Sequence, residues 1–153
     1  MIRTRLLARG LALGAAAAAV AVSTAFSTPD VTKHRAEQAL APTFANLYVQ
    51  QAVILGIPDV TVAGIDASAD CDRGGPNVAD VGSGSDWICM VTFHDHTHQV
   101  QIGKFEMKIN ADSSYVASGP SKLIGMATIT DKAGKDVPNP VFEFDGTLDP
   151  DHP

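Results

Sequence analysis

The run that decides the fold is Trp-Ile-Cys-Met-Val-Thr-Phe, residues 87–93. Every second residue in it is apolar and large: Trp87, Cys89, Val91 and Phe93. Because side chains alternate between the two faces of a β-strand, this pattern predicts a strand with one buried face. Similar but weaker patterns predict further strands at residues 60–67, 99–109, 114–118, 122–130 and 137–144.

The predicted strand 99–109 changes phase at Gly103. Its apolar residues stand at even positions before this glycine and at odd positions after it: Val100, Ile102, Phe105, Met107 and Ile109. A one-residue slip moves the apolar set of a strand to the opposite face. A β-bulge at Gly103 would restore a common buried face, so the sequence predicts a bulge there.

The segments between and beyond the strands indicate an antiparallel order. Residues 110–113 and 131–134 are rich in Asn, Asp, Ser and Gly, which is typical of hairpin turns. Pro138 and Pro140 cannot donate to a central ladder. They therefore place the segment 137–144 at a sheet edge.

One amphipathic helix precedes the strands. Residues 33–41 fit a short helix that Pro42 ends or kinks, and Thr43 is placed to cap a second run. That run carries apolar residues at helical spacing, Phe44, Leu47, Tyr48, Val49, Ala52 and Leu55, and Gly56 stands where a C-cap glycine belongs. The sequence thus predicts an α+β fold, with one main N-terminal helix packed on a four- to six-stranded antiparallel meander sheet.

The first 25 residues are typical of a secretory signal peptide. Arg3, Arg5 and Arg9 precede a short stretch rich in Ala and Leu, and small residues at 23–25 suit cleavage. An uncleaved membrane anchor is the alternative, although a spanning helix needs about 20 apolar residues. We therefore predict a secreted or extracytoplasmic protein. Its expected parts are the signal peptide over 1–25, a flexible entry over 26–32, one domain over 33–148 and a frayed tail over 149–153.

Composition narrows the function classes. The chain has 153 residues, 45% of them hydrophobic and 18% charged, which suits a single globular domain. Acidic residues outnumber Lys and Arg by 17 to 11, a balance unsuited to nucleic acid. The sequence lacks a nucleotide-binding, nucleophile-elbow or EF-hand pattern. We predict no catalytic residue, regard an enzyme as less expected than a binding module, and expect membrane contact only through an uncleaved signal.

The two cysteines of the chain, Cys71 and Cys89, bracket most of a stretch rich in Gly, Asp and Ser at residues 70–86. We predict that this stretch is an irregular surface loop. In an oxidising compartment the two cysteines are expected to form a disulfide, worth about 3 kcal/mol for a loop of this size. A redox or metal-binding thiol pair is the alternative, but the Cys-x-x-Cys spacing of such sites is missing.

The stretch Cys71-Asp72-Arg73-Gly74-Gly75-Pro76, followed by Asp86-Trp87-Ile88-Cys89, resembles a family of small exported bacterial proteins of unknown function. The segments 112–115, 119–120, 137–140 and 144–146 share the resemblance, so it covers most of the chain after the signal. It implies secretion and the disulfide, and no particular chemistry. It also implies a second cysteine pair near Ser114 and Thr147, which this chain lacks.

Three histidines alternate in Phe93-His94-Asp95-His96-Thr97-His98. On a strand they would share one face, with His94 and His98 about 13 Å apart, too far to bind one ion. A turn would bring them closer. Two interpretations stay open: a solvated hairpin tip without a special role, or a weak site for Zn²⁺, Cu²⁺ or Ni²⁺, with Asp95 as a further ligand.

Together these features predict a secreted or envelope-associated, disulfide-bonded binding or interaction module with an extracellular or envelope ligand. No cofactor is expected beyond weak zinc at the histidines. The alternative is a metal-binding or metal-dependent protein that uses His94, His96 and His98. The ligand and the oligomeric state stay open.

Overall fold

The computed structural model describes residues 31–148. The predicted signal peptide, most of the predicted entry and the predicted tail lie outside this range. In chain order the described elements are α1 (Lys33–Leu55), α2 (Val62–Ile65), β1 (Ser68–Arg73), β2 (Gly84–His94), β3 (Val100–Ile109), β4 (Ser114–Ser118), α3 (Ser121–Ile124), β5 (Thr128–Thr130), β6 (Asp136–Pro138) and β7 (Glu143–Thr147).

The predicted α+β class with an antiparallel sheet is confirmed. Strands β1, β2, β3, β4 and β7 form a five-stranded sheet in that order, and each neighbouring pair is antiparallel. Strands β5 and β6 form a separate two-stranded hairpin. The first four strands follow one another as a meander, while the β5–β6 hairpin is inserted before β7 completes the sheet.

Helix α1 is continuous through Pro42, so the predicted break at Pro42 and the predicted cap at Thr43 are wrong. The helix is capped by Thr32, and the Thr43 hydroxyl donates to the carbonyl of Ala39 at 2.8 Å. Residues on both sides of the proline are buried: Leu40, Ala41, Phe44 and Ala45. Their packing offsets the backbone hydrogen bond that proline cannot donate. The predicted C-cap is confirmed, because Gly56 has a left-handed φ of 73°.

The core lies between α1 and one face of the sheet. The alternation predicted for residues 87–93 is confirmed, since Trp87, Cys89, Val91 and Phe93 are all fully buried. Phe44 of α1 packs its ring 4.8 Å from Phe93 and 5.3 Å from Phe105, measured between ring centroids. Tilted and edge-on aromatic pairs of this kind stabilise a core beyond the area they bury. They hold α1 across β2 and β3.

The bulge predicted at Gly103 is wrong. Gly103 pairs directly with Val91, and the register of β2 and β3 shifts instead between Gly84 and Trp87. Val100 and Ile102 are therefore not part of the core and are 60% and 58% exposed. Side chains therefore alternate without interruption along β3, and Val100 and Ile102 lie on its solvent-exposed face.

The strand predicted at 60–67 is also wrong. Residues Val62–Ile65 form the short helix α2, and the first strand begins only at Ser68. Thr61 caps this turn by accepting a hydrogen bond from the amide of Gly64 at 3.1 Å, and Asp66 ends it with a φ of 46°. The predicted loop 70–86 is correspondingly shorter, because Asp70, Cys71, Asp72 and Arg73 belong to β1 and the last residues to β2.

The two C-terminal strands were also predicted too long. Residues 122–130 divide into α3 and β5, and residues 137–144 divide into β6, a turn and the start of β7. The buried side chain of Asn139 explains the turn, because its amide donates to the carbonyls of Ile124 and Met126. Its oxygen accepts from Gln51 of α1 at 2.9 Å. Pro138 lies in the two-stranded hairpin, where both strands are edges, as its residue type requires.

The predicted disulfide is confirmed. Cys71 and Cys89 lie directly opposite each other on β1 and β2, with their Cα atoms 4.0 Å apart. Ser114 and Thr147, near which the resemblance implies a second pair, also lie opposite each other, on β4 and β7.

The outer edge of β1 is closed by two carboxylates. The amide of Cys71 donates to Glu37 of α1 at 3.0 Å, and the amide of Arg73 donates to Asp80 at 2.9 Å. The outward amides of these two residues thus already have side-chain partners.

Candidate functional site

The three histidines lie where β2 ends and turns into β3. His94 is the last residue of β2, and His96 and His98 lie in the turn. The turn is closed by the amide of Asp95, which donates to the carbonyl of Gln99 at 2.9 Å. His98 has a φ of 62°, in the left-handed region. The side chains therefore do not continue the face-sharing pattern of a strand.

Asp95 organises this turn. One carboxylate oxygen accepts from the Thr97 hydroxyl at 2.6 Å, the Thr97 amide at 2.8 Å and the Gln99 amide at 3.1 Å. The other accepts from the Gln101 side chain at 2.7 Å. These hydrogen bonds hold the pKa of Asp95 well below its usual range, and the bond from the Thr97 hydroxyl has the largest effect. The carboxylate stays ionised and is engaged by the protein's own donors.

A cavity of about 250 Å³, here called the histidine cavity, opens between this turn and the segment before β1. From the turn it is lined by His94, Asp95, His96 and His98. The opposite wall comes from residues around α2: Pro58, Asp59, Val60, Thr61, Gly64 and Ile65. Sequence reasoning found the histidines but missed the second wall, because residues 60–67 were predicted as a strand.

A second cavity of about 190 Å³, here called the apolar cavity, lies under the end of α1. Most of its wall is aliphatic, and its lining is Tyr48, Gln51, Ala52, Leu55, Ile57, His96, Leu123, Ile124, Gly125 and Ile129. His96 therefore lines both cavities. No feature of the sequence marked this cavity, because its wall comes from four separate segments.

Tyr48 connects α1 to the histidine turn. Burial raises the pKa of Tyr48, and the negative charge of Asp95 raises it further. A hydrogen bond between the Tyr48 hydroxyl and the backbone of His96 acts in the opposite direction. Tyr48 and His96 also line the same cavity, so the helix and the turn meet at this wall.

One polar atom at the site has no protein partner. The Nδ1 atom of His94 is buried and lacks a hydrogen-bond partner among the described residues. Nearby buried amides are satisfied, because Gln51 donates to the carbonyl of Ile124 at 2.6 Å and to Asn139. A buried polar atom without a partner is unfavourable and is often found where a ligand or water binds.

The side chains at the two cavities do not form a metal-binding cluster. Within residues 31–148, no group of three or more His, Cys, Asp or Glu side chains is arranged to hold a metal ion. The lining of the two cavities contains two carboxylates, those of Asp59 and Asp95, and neither Lys nor Arg. The arrangement suits binding through hydrogen bonds and negative charge.

Within the described part of the chain, no helix is both long and apolar enough to cross a membrane. Comparison of the chain with protein-family models, curated proteins and solved structures gives no match.

Proposed function

We propose that the protein is an extracytoplasmic binding module whose ligand site is the histidine cavity. The observation that carries this proposal is that His94, His96 and His98 line one concave site together with Asp59. Small-molecule sites are typically concave, with a few convergent polar groups on a largely preformed wall. The cavity has this character.

Two features support an extracytoplasmic location. Residues 1–25 have the composition of a signal peptide, and the domain contains the Cys71–Cys89 disulfide. Disulfides persist in oxidising compartments and are rare in the reducing cytosol. The resemblance to small exported bacterial proteins supports the same proposal.

Histidine NMR tests the binding proposal directly. Ethylamine and acetate serve as small probes of opposite charge, titrated into the mature protein while the imidazole shifts are recorded. We expect at least one probe to shift His94, His96 and His98 saturably. His34 is an internal control, because it is exposed at the start of α1 and outside the cavity. Absence of any saturable shift, or an equal shift at His34, would contradict the proposal.

Metal binding at the histidines is the second candidate. It is favoured by the convergence of three imidazoles on one cavity, although no three-ligand cluster is formed. Zinc titration of the mature protein, followed by calorimetry, tests it. The metal-binding proposal expects a dissociation constant at or below about 10 µM, abolished by a triple His→Ala variant at 94, 96 and 98. Weaker binding, or equal loss in the control variant His34→Ala, would refute it.

A further inference from the structure

We propose that the two cavities form one site for an amphipathic primary amine, with the ammonium group in the histidine cavity and the hydrocarbon chain in the apolar cavity. This inference rests on the proposed binding function and names the ligand class. Three observations carry it: the shared wall, the charge of one cavity and the composition of the other.

The shared wall is His96. This residue lines both cavities, and Tyr48 of α1 lines the apolar cavity together with it. A ligand placed against the His96 side chain can therefore contact the lining of both cavities. Each cavity alone, at about 250 and 190 Å³, is smaller than the roughly 300–1,000 Å³ usual for small-molecule sites, whereas the two together fall within that range.

The histidine cavity favours a cation. Asp59 and Asp95 line it, and its lining contains neither Lys nor Arg that would neutralise them. Asp95 stays ionised because its carboxylate accepts hydrogen bonds from Thr97, Gln99 and Gln101. The whole chain carries a formal charge of −6, which raises the local concentration of cations.

The apolar cavity favours a hydrocarbon chain. Leu55, Ile57, Leu123, Ile124 and Ile129 supply half of its lining residues, and Ala52 adds a sixth aliphatic side chain. The buried polar group there, the Gln51 amide, is already bonded to Ile124 and Asn139. Each methylene that leaves water for such a wall tightens binding about three- to fourfold.

A ligand series tests the inference by calorimetry and histidine NMR on the mature protein. Ethylamine, butylamine and hexylamine vary the chain, while hexanol and hexanoate vary the polar group. We expect affinity to rise from ethylamine to hexylamine, with hexylamine at least about tenfold tighter than hexanoate. If ethylamine binds but chain length has no effect, the inference fails and the proposed function stands. If acetate binds and the amines do not, the inference also fails, and if neither probe binds both are refuted.

Matched variants localise the two parts of the ligand. Leu55→Asn changes the apolar wall at a position that is 37% exposed, and Val53→Asn is the control on the same helix turn outside both cavities. We expect Leu55→Asn to weaken hexylamine about tenfold and to leave ethylamine unchanged. Equal effects of Leu55→Asn and Val53→Asn would overturn the assignment of the chain to this cavity.

The ammonium group is tested at Asp59. We expect Asp59→Asn to weaken ethylamine and hexylamine by a similar factor, about fivefold or more, without weakening hexanol. Asp145→Asn is the control, because Asp145 is an exposed aspartate of β7 outside both cavities. If the two variants behave alike, the cation is not held at the histidine cavity.

Discussion

The two ends of β2 differ in how their polar groups are satisfied. At the Gly84 end, the guanidinium of Arg73 donates to Asp86 at 2.9 Å and to the carbonyl of Val81 at 2.7 Å. The indole of Trp87 donates to the carbonyl of Gly82 at 3.1 Å. Every one of these polar groups is used to hold the loop that precedes the strand.

At the His94 end, the same strand opens onto a cavity. The buried Nδ1 of His94 has no protein partner there, and the histidine cavity separates the turn from the segment 58–65. The only carboxylate of the turn, Asp95, serves the turn itself. Arg73 and Asp86 are structural, because the protein completes their hydrogen bonds. The hydrogen bonds of Asp95 are likewise used by the turn, but its negative charge still lines the histidine cavity. A binding site is indicated at this end, where a buried polar atom is left without a partner among the described residues.

The largest expected effect concerns the disulfide, which lies between the two ends of β2. Cys89→Ser should lower the free energy of unfolding by about 2–5 kcal/mol, because the unfolded chain is no longer constrained. Urea denaturation followed by Trp87 fluorescence measures it, and mass spectrometry of the wild type should find the two cysteines oxidised. The double variant Cys71→Ser/Cys89→Ser should lose a similar amount. A loss below about 1 kcal/mol, or free thiols in the wild type, would contradict the prediction.

The next largest effect is expected at the Gly84 end of β2, where the polar groups have hydrogen-bond partners. Trp87→Phe should lower the free energy of unfolding by about 2 kcal/mol, because it shrinks a fully buried side chain and leaves the Gly82 carbonyl without its donor. Thermal denaturation followed by circular dichroism measures the change. Val116→Ala, on the exposed face of β4, is the control and should stay within about 0.5 kcal/mol. Equal effects would remove the distinction between the two ends.

The third effect is the acid dependence of the histidine turn. Because the pKa of Asp95 is lowered in the folded protein, its contribution is present above the ordinary aspartate pKa of about 3.9 and is lost as the pH falls below it. Asp95→Asn should therefore cost about 1 kcal/mol at pH 7, after allowance for solvent exposure, and should flatten the decline in stability at acid pH.

Asp145→Asn is the matched control for this effect. Denaturation midpoints measured from about pH 7 to pH 2 should separate the two variants. In Asp95→Asn the stability should still decline at acid pH, although less steeply than in the wild type. The remaining decline comes from other aspartates, because hydrogen bonds also lower the pKa values of Asp86 and Asp112. An Asp95→Asn variant with an unchanged acid slope would show that the turn does not depend on this charge.

The smallest effect is expected at the His94 end of β2. His94→Phe removes a buried nitrogen that has no partner among residues 31–148, so the free energy of unfolding should not fall by more than about 0.5 kcal/mol. The same thermal denaturation measures it beside Trp87→Phe. A loss above about 1 kcal/mol would show that His94 is satisfied in solution, and the contrast between the two ends would fail.

The parts of the fold that could be predicted from sequence are those with one uniform environment. Residues 87–93 alternate because one face of β2 packs on α1 along the whole run. The turn 110–113 was predicted correctly because its geometry is local, with the Ser113 amide donating to the Asn110 carbonyl at 3.0 Å. The disulfide could be predicted because the chain has two cysteines and its first residues predict export to an oxidising compartment.

The errors arise where distant residues decide the local structure. Pro42 stays within α1 because its neighbours are buried against the sheet, and Val100 and Ile102 are exposed although they are apolar. The segment 137–144 is divided because Asn139 bonds to residues near position 125. None of these contacts has a signal in the local sequence.

Only one wall of the candidate site, the histidine turn, could be predicted from the sequence. The alternating histidines identified the turn, but the cavity depends on α2, which lies within the segment 60–67 that the sequence predicts as a strand. The role of Asp95 was also hidden, since a carboxylate between imidazoles suggests a metal ligand until its hydrogen bonds are known. A site formed between two loops needs the three-dimensional packing of both.

The carboxylates along the outer edge of β1 have a consequence for self-association. Glu37 and Asp80 already accept the outward amides of Cys71 and Arg73. A second molecule that approached this edge would find its carbonyl oxygens facing negative charge instead of free amides, so growth into fibrils through β1 is opposed.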